Sequence, residues 1–405
     1  MYPDWPESDA DLVPLPQCDG PKLKPFKFSG PRKIEFLEYA GEGTHAHVFK
    51  VNIEGDFYAI KVFRWTEPDE WPGPESHADE NDREAVMAFS NHTEPFSCEC
   101  RAFARLQESG HEELAIRCFG YILVNEEEKE MVDRFKVNFD SQLWGCFEEY
   151  KGRQRARFLG KRTGRQPPLR GIVKAFGQAD PTLKLSVVKK LFRAIVRLHQ
   201  LGIVGLDVAD RQLVDGKMAD LSQALTSPNF IMTPELNPFL SSEEVAFLEN
   251  ETFRYCRSDF ARYEDAIWAW NDEHEDAKDR LWIQAFSEHQ YNLRKVPSRD
   301  DRPYTFADPR LYDWKKSSLA SESADAAMAR GEKGQRSDGT TVKIGGSRES
   351  DAKKQRRLNP YPTRWYYDCD EEEAAQMRRF PDSHGSLNYE YRGGLIFPTR
   401  DQYRP

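Results

Sequence analysis

Residues 198–222 read LHQLGIVGLDVADRQLVDGKMADLS, and this stretch decides the fold. Its first residues lie at the end of a predicted helix, because apolar residues recur at helical spacing over 185–198. A turn then carries Asp207, and Gln212 follows five residues later. An Asp-Gly dipeptide predicts a tight hairpin, after which comes a second aspartate, Asp220. Helix, aspartate turn, hairpin and second aspartate in this order predict one polar site, since a chance series of ordinary loops would rarely give it.

A glycine turn lies between two predicted strands nearer the start of the chain, within YAGEGTHAHV (39–48). Gly41 and Gly43 have no side chains, so backbone N–H groups in such a turn can approach phosphate oxygens closely. Val48 opens the second strand. Most Gly-x-Gly turns are only hairpins, so this turn supports a nucleotide site only together with other signals.

A lysine stands within an apolar strand, in YAIKVF (58–63). Burying a lysine is costly unless it has a partner, and the plain alternative is an edge-strand lysine that reaches solvent. With the glycine turn just upstream, Lys61, two residues after Ala59, is predicted to grip phosphates. A helix glutamate should hold it in place. Glu99 is the expected partner, and Glu84 is the second choice.

These stretches together resemble eukaryotic-type protein kinases over residues 33–235. More narrowly, the chain is similar to the fungal kinase-like family described as a kinetochore subunit. The stretches that carry the resemblance are GEGTHAHVFKV (41–51), YAIKVF (58–63), CECRAF (98–103), RCFGY (117–121) and IVGLDVADRQLVDGKMADLSQA (203–224). The resemblance implies an α+β, protein-kinase-like two-lobed fold, with inserts in the N-lobe and a largely disordered C-terminal extension.

The resemblance also implies an ATP site with Mg²⁺. In that site Asp207 and Lys61 are the catalytic residues, and Gln212 and Asp220 hold the metal against the phosphates. The residues implied to bind the cofactor are Gly41, Gly43, Val48, Ala59, Lys61 and Glu99.

The catalytic loop departs from the kinase pattern at several positions. Gly205 and Leu206 replace the His and Arg that precede the aspartate, and Ala209 replaces a lysine. Gln212 replaces an asparagine; its extra methylene displaces a metal ligand by on the order of an ångström, and errors of about 1 Å can cost roughly a hundredfold in rate. Ser222 replaces the hinge glycine of Asp-Phe-Gly.

Two functions of different classes therefore compete. The first is a degenerate (pseudo)kinase that binds ATP and serves as a protein-interaction module, with the kinetochore as its context. The second is an active phosphotransferase, acting on protein Ser/Thr or on a small molecule. The surviving Lys61, Asp207 and Asp220 favour the second function. The lost catalytic-loop residues favour the first, which we prefer.

Composition divides the chain into four segments. The first and the last of them differ in composition from the two lobes. They are a polar N-terminal tail (1–28), a strand-rich N-lobe (29–177) with inserts at about 66–95 and 125–168, a compact helical C-lobe (178–300), and a mostly disordered extension (301–405).

The formal net charge of the 405-residue chain is -10, which disfavours nonspecific nucleic-acid binding. The exception is the basic tract 330–357, which fits either nuclear import and an acidic partner or a solvated linker. No apolar run is long enough to span a bilayer, and seven irregularly spaced cysteines predict reduced thiols. We expect an intracellular protein, nuclear or cytoplasmic, with protein partners.

Overall fold

The structure is a computed structural model of the whole chain. The residues it describes are 2, 4–71, 82–140, 153–177, 183–274, 276, 280–281, 307–316, 355–360, 362, 365, 367, 372, 375, 379 and 387–400.

A five-stranded antiparallel sheet organises the first half of the chain, in the order β1-β2-β3-β5-β4. Its strands are β1 (Glu35–Glu42), β2 (Ala46–Ile53), β3 (Asp56–Phe63), β4 (Cys118–Val124) and β5 (Leu169–Ala175). The predicted glycine turn joins β1 to β2, and Gly55 lies in the turn between β2 and β3. The alternating aromatic and β-branched residues of these stretches suit a pleated, half-buried surface.

Helices cover the sheet and form the second half of the fold. They are α1 (Arg83–Thr93), α2 (Pro95–Ser109), α3 (Glu128–Phe135), α4 (Arg153–Arg157), α5 (Leu185–Gln200) and α6 (Ser242–Glu273). Short strand pairs lie between α5 and α6. They are β6 (Ile203–Val204) with β9 (Leu225–Thr226), and β7 (Leu213–Val214) with β8 (Lys217–Met218).

Helix α2 is buried along almost its whole surface, with only Gln107 and Glu108 less covered. The Glu94 carboxylate caps its start by accepting from the Ser97 N–H (3.1 Å), and Gly110 (φ 74°) ends it. An amphipathic surface helix would expose its polar face, but α2 buries charged residues as well. Each of them therefore needs a partner inside the protein.

The predicted insert at 66–95 contains helix α1 instead of only a surface loop. Val86 and Phe89 of α1 are buried, and the Phe89 ring lies edge-on to Phe230. The short apolar face of α1 is interrupted by charged residues along the sequence, which is why the composition of this stretch resembles a loop. Residues 72–81 and 141–152, which belong to the two predicted inserts, lie outside the described residues.

The N-terminal segment packs on the sheet, whereas the sequence predicts a polar tail over 1–28. Leu15 and Leu23 are buried and exchange two backbone hydrogen bonds, of 3.1 and 2.8 Å. Pro25 forms a β-bridge with Tyr121 of β4. A few apolar residues spaced among prolines and acids suffice for this docking, and they are too sparse to produce a periodic pattern.

Described parts of the predicted extension (301–405) also contact the core. A hairpin of β10 (Leu387–Arg392) and β11 (Leu395–Arg400) buries Tyr389 against Phe230, with ring centroids 4.9 Å apart. The Arg356 N–H donates to the carbonyl of Ser109 in α2 at 2.9 Å. Residues 317–354, which hold most of the predicted disorder and most of the basic tract, lie outside the described residues.

Candidate functional site

Lys61 on β3 and Glu99 on α2 form the ion pair that the sequence predicts, with Nζ 2.8 Å from Oε2. Both side chains are buried, and Glu84, the second choice, is exposed on α1. The Lys61 ammonium also lies 2.6 Å from Asp220 Oδ1. The strand lysine therefore joins the helix glutamate to the second aspartate of the decisive sequence stretch.

A second buried lysine, Lys174, completes this cluster. No sequence pattern predicts its presence at the site. Lys174 of β5 donates to the other oxygen of Glu99, Oε1, and to the Ala219 carbonyl at 2.6 Å. Nothing in the sequence marks it, because LRGIVKAF (169–176) resembles any strand that ends in a solvent-reaching lysine. Only the pairing of β5 with β3 brings Lys174 to Glu99.

The predicted cofactor-binding residues of the sheet lie on one face. Val48 is directly opposite Lys61, and Ala59 is directly opposite Lys174. Residues directly opposite on neighbouring strands point to the same side, as do residues two apart on one strand. Val48, Ala59 and both lysines therefore line the same surface of the sheet.

The charged neighbours of Lys61 and Asp220 oppose the effect of burial on the pKa of each group. Burial alone would lower the pKa of the Lys61 ammonium, but the Asp220 and Glu99 carboxylates raise it above its usual value. Burial would likewise raise the pKa of Asp220, but Lys61 and Lys174 hold it well below the usual range. Lys61 and Asp220 are thus both kept charged at neutral pH.

The side chain of Arg64 holds the glycine turn in place by hydrogen bonds. The Arg64 guanidinium donates to the carbonyl oxygens of Gly43 (2.6 Å) and Thr44 (3.0 Å), and to the Glu42 carboxylate (2.6 Å). A Cβ placed on Gly41 or Gly43 would meet no other atom within 4 Å, so the space beside the turn is open. Arg64 therefore orients the turn and leaves its glycine side clear.

The turn also reaches the second aspartate's loop. His45 Nδ1 lies 3.4 Å from Ser222 Oγ, two residues after Asp220. Burial, and then the Lys61 cation, lower the pKa of His45 to about 4. The imidazole is therefore neutral at physiological pH.

Asp207, the predicted catalytic base, is enclosed by donors. Arg262 of α6 donates to its Oδ1 (3.1 Å), while Arg211 (3.0 Å) and the Gln212 amide (2.9 Å) both donate to Oδ2. A carboxylate offers about four acceptor positions, so these bonds use most of them. Arg211 lies close by in the sequence, but Arg262 comes from another helix and no local pattern reveals it.

Asp259 of α6 holds the loop that carries Asp207. Its carboxylate accepts from the N–H groups of Gly205 (3.1 Å) and Leu206 (2.6 Å), and from His199 Nε2 (2.8 Å). Asp259 lies 53 residues from Leu206 along the chain, so no local sequence pattern indicates that the two residues are in contact. Gly205 itself has φ +73°, a conformation that favours glycine over the histidine of the kinase pattern.

Two buried arginines fix α2, and thereby Glu99, to the second half of the fold. Arg101 and Arg105 donate to backbone carbonyls of residues 226–228. Arg105 also donates to the Leu201 carbonyl at 2.6 Å. Because these bonds join α2 to residues 226–228, the position of Glu99 is coupled to the segment that follows Asp220.

The donor set does not suit Mg²⁺ as the side chains stand. Magnesium requires near-octahedral oxygen ligation, yet Asp220 Oδ1 already contacts the Lys61 ammonium (2.6 Å) and accepts from the Ser222 N–H (2.9 Å). Gln212 turns its amide N–H toward Asp207. Within the described part of the chain, no three His, Cys, Asp or Glu side chains are grouped to hold a metal ion.

A comparison with protein families finds a match. The family model of kinetochore Sim4 complex subunit FTA2 matches residues 12–225, more than half of the chain. This range includes Lys61, Glu99, Lys174, Asp207 and Asp220, and ends before Asp259 and Arg262. No curated protein matches the chain. Among the described residues, no helix has the length and apolar character needed to cross a membrane. The chain belongs to the family of kinetochore Sim4 complex subunit FTA2.

Proposed function

We propose that this chain is a kinase-like, two-lobed pseudokinase that binds ATP and works in the kinetochore as a protein-interaction module. The sheet and α2 belong to the N-lobe (29–177), and the C-lobe (178–300) contains α5 and α6. The cleft between the lobes holds the nucleotide. Family membership supports the kinetochore, and therefore the nucleus, as its place of work, with other kinetochore proteins as partners.

The strand-to-helix ion pair supports nucleotide binding. In kinases a β3 lysine paired with a helix glutamate holds the nucleotide phosphates. Lys61 and Glu99 have this arrangement, with a glycine turn of open space at Gly41 and Gly43 above them. Val48 and Ala59 lie on the same face and offer apolar contact to the adenine.

The enclosure of Asp207 is the observation that carries the pseudokinase assignment. Phosphoryl transfer depends mainly on positioning and on charge placed where it develops in the transition state. A base that already accepts from Arg211, Arg262 and Gln212 has little capacity left for a substrate hydroxyl. Ala209 also removes a cation that would lie near the transferred phosphate.

One feature favours an active phosphotransferase as the second candidate. Arg211 and Arg262 place two guanidinium groups beside Asp207, where the lysine of the kinase pattern is missing. If a substrate phosphate drew them away from Asp207, they would replace that lysine and free the base. The substrate would then be a protein hydroxyl or a small molecule.

Nucleotide binding is tested by thermal shift with ATP and Mg²⁺ on the full chain. At an ATP concentration about a hundredfold above Kd, binding should stabilise the protein by about 2.7 kcal/mol and raise Tm by several degrees. Lys61→Met should abolish the shift, because it removes the phosphate-binding ammonium. Lys189→Met, on the exposed face of α5, is the matched control and should keep the shift. No stabilisation of the wild type by millimolar ATP would refute the nucleotide site.

Transfer is tested by single-turnover labelling from γ-labelled ATP, on the chain alone and with generic protein substrates. We expect labelling at background for the wild type and for Asp207→Asn. Robust wild-type labelling that disappears in both Asp207→Asn and Asp220→Asn would replace the pseudokinase by the phosphotransferase.

A further inference from the structure

The buried cluster at the candidate nucleotide site is electrically balanced by protein groups alone. Lys61 bridges Glu99 and Asp220, while Lys174 contacts the second oxygen of Glu99. Glu99 is fully buried, and the two lysines are almost as well covered. The charges of two ammonium groups and two carboxylates add to zero, which lowers the desolvation penalty for burying Glu99 and the two lysines.

Lys174 changes the charge that Lys61 can offer. With one lysine only, the Glu99 carboxylate would neutralise Lys61, and Asp220 would need a metal ion to balance it. Here Lys174 shares Glu99, so Lys61 can hold Asp220 as well. Lys174 also binds the carbonyl of Ala219, the residue before Asp220 (2.6 Å), and so fixes the backbone that carries this carboxylate.

A divalent cation would disturb this balance. To reach Asp220, the cation would have to displace the Lys61 ammonium. It would then lie near two lysines that are positively charged, as it is itself. The poor fit of the donor set to Mg²⁺ has the same origin, since the Lys61 ammonium already contacts the Asp220 oxygen that would have to bind a metal ion.

We propose that this site binds nucleoside di- and triphosphates without requiring a metal ion, and that Lys174 is the residue that makes the metal unnecessary. The inference rests on the proposed nucleotide site. In the complex, the phosphates draw Lys61 partly away from Asp220, and Lys174 keeps Glu99 neutralised so that Lys61 retains its charge for them. Lys174 acts through Glu99 and the Ala219 backbone and is therefore a positioning residue.

The first measurement is the Kd of a fluorescent ATP analogue for the full chain, in EDTA and in Mg²⁺. The two values should agree within about threefold. Binding that appears only with Mg²⁺ would overturn this inference and leave the proposed function intact. Absence of binding in both buffers would overturn both.

The second measurement uses Lys174→Met, which keeps the length of the side chain and removes its charge. The cluster then carries an excess negative charge, so affinity in EDTA should fall about ten- to a hundredfold, and Mg²⁺ should restore most of it. Lys174→Arg should bind as the wild type does in both buffers. An equal loss in EDTA and in Mg²⁺ would show that Lys174 serves only the structure.

A compensating pair keeps the test decisive if Lys174→Met is poorly folded. Glu99→Gln combined with Lys174→Met removes one carboxylate and one ammonium, and leaves the Lys61–Asp220 pair neutral. This double variant should again bind the analogue equally, within about threefold, in EDTA and in Mg²⁺. Retained dependence on Mg²⁺ in the double variant would contradict the charge-balance explanation.

Discussion

At the candidate site, the pKa of a single residue depends on its surroundings more than on its type. His45 lies at the tip of the glycine turn, with its Nδ1 atom 3.4 Å from Ser222 Oγ. Its pKa is lowered to about 4 by burial and by the Lys61 cation, with Asp220 and Asp207 acting weakly in the opposite direction. The usual pKa of histidine is near 6.5, so the lowered pKa of His45 makes the free energy of unfolding depend on pH.

The free energy of unfolding should therefore decrease as the pH falls from about 6.5 toward 4. The unfolded chain takes up a proton at His45 in this range, while the folded chain resists until the pH reaches its lower pKa. Urea unfolding between pH 7.5 and 4.5 measures the effect, and His45→Gln should make the decrease shallower. The remaining slope includes His47 and His92, whose pKa burial also lowers. Identical slopes for wild type and variant would contradict the assignment.

Among the elements, helix α2 connects the two halves of the site. It carries Glu99 to the lysines, and its buried Arg101 and Arg105 bind the backbone of residues 226–228. The Arg105 guanidinium also stacks on Tyr312, 3.8 Å from the ring centroid. The helix is therefore held by contacts on both sides.

Removing one of these arginines should destabilise the whole fold. Arg105→Met leaves the Leu201 and Ser227 carbonyls without a donor, and each unsatisfied buried acceptor costs about 1–3 kcal/mol. We expect a loss of about 3 kcal/mol or more in the free energy of unfolding, measured in urea. Arg193→Met on the exposed face of α5 is the control and should change it by less than about 0.5 kcal/mol. A similar small change for both variants would show that α2 is held by its apolar contacts alone.

For the whole molecule, both ends of the chain complete the core. The N-terminal segment pairs with itself through Leu15 and Leu23 and reaches Tyr121 on the outer strand β4. At the other end, the β10–β11 hairpin contacts α1 and Phe230, and the Asn237 amide donates to the Ile396 carbonyl at 2.8 Å. Segments that the sequence analysis assigns to tails thus contribute to stability.

The hairpin contribution is tested at Tyr389. Its ring is fully buried against Phe230, and truncating a large buried aromatic side chain costs about 3–5 kcal/mol. Tyr389→Ala should lower Tm by several degrees in a thermal melt. Glu390→Ala, on the same strand in an exposed pair with Arg392, should leave Tm nearly unchanged. An unchanged Tm for Tyr389→Ala would mean that the hairpin adds nothing to the fold.

The sequence by itself determined the elements and the residues whose partners are encoded locally. The strand patterns beside the glycine turn and around Lys61 predicted β1, β2 and β3, and the helical spacing over 185–198 predicted α5. The capping box at the start of α6 is also encoded locally, by Ser241 and Glu244. The glycine turn and Lys61 followed from short local patterns, and Glu99, 38 residues after Lys61, followed from its place in a predicted helix. Such signals survive in a sequence because they depend on the identity of near neighbours.

The tertiary structure decided which other groups reach the site. Lys174, Arg262 and Asp259 come from β5 and α6, and each looks like an ordinary polar residue where it occurs in the sequence. Their roles depend on which strand pairs with which and on how a long helix packs beneath the loop. Periodicity reports which face of an element is buried, but it does not report what that face touches. The balance of charge around Asp220, on which the chemistry of the site depends, is therefore a property of the folded molecule alone.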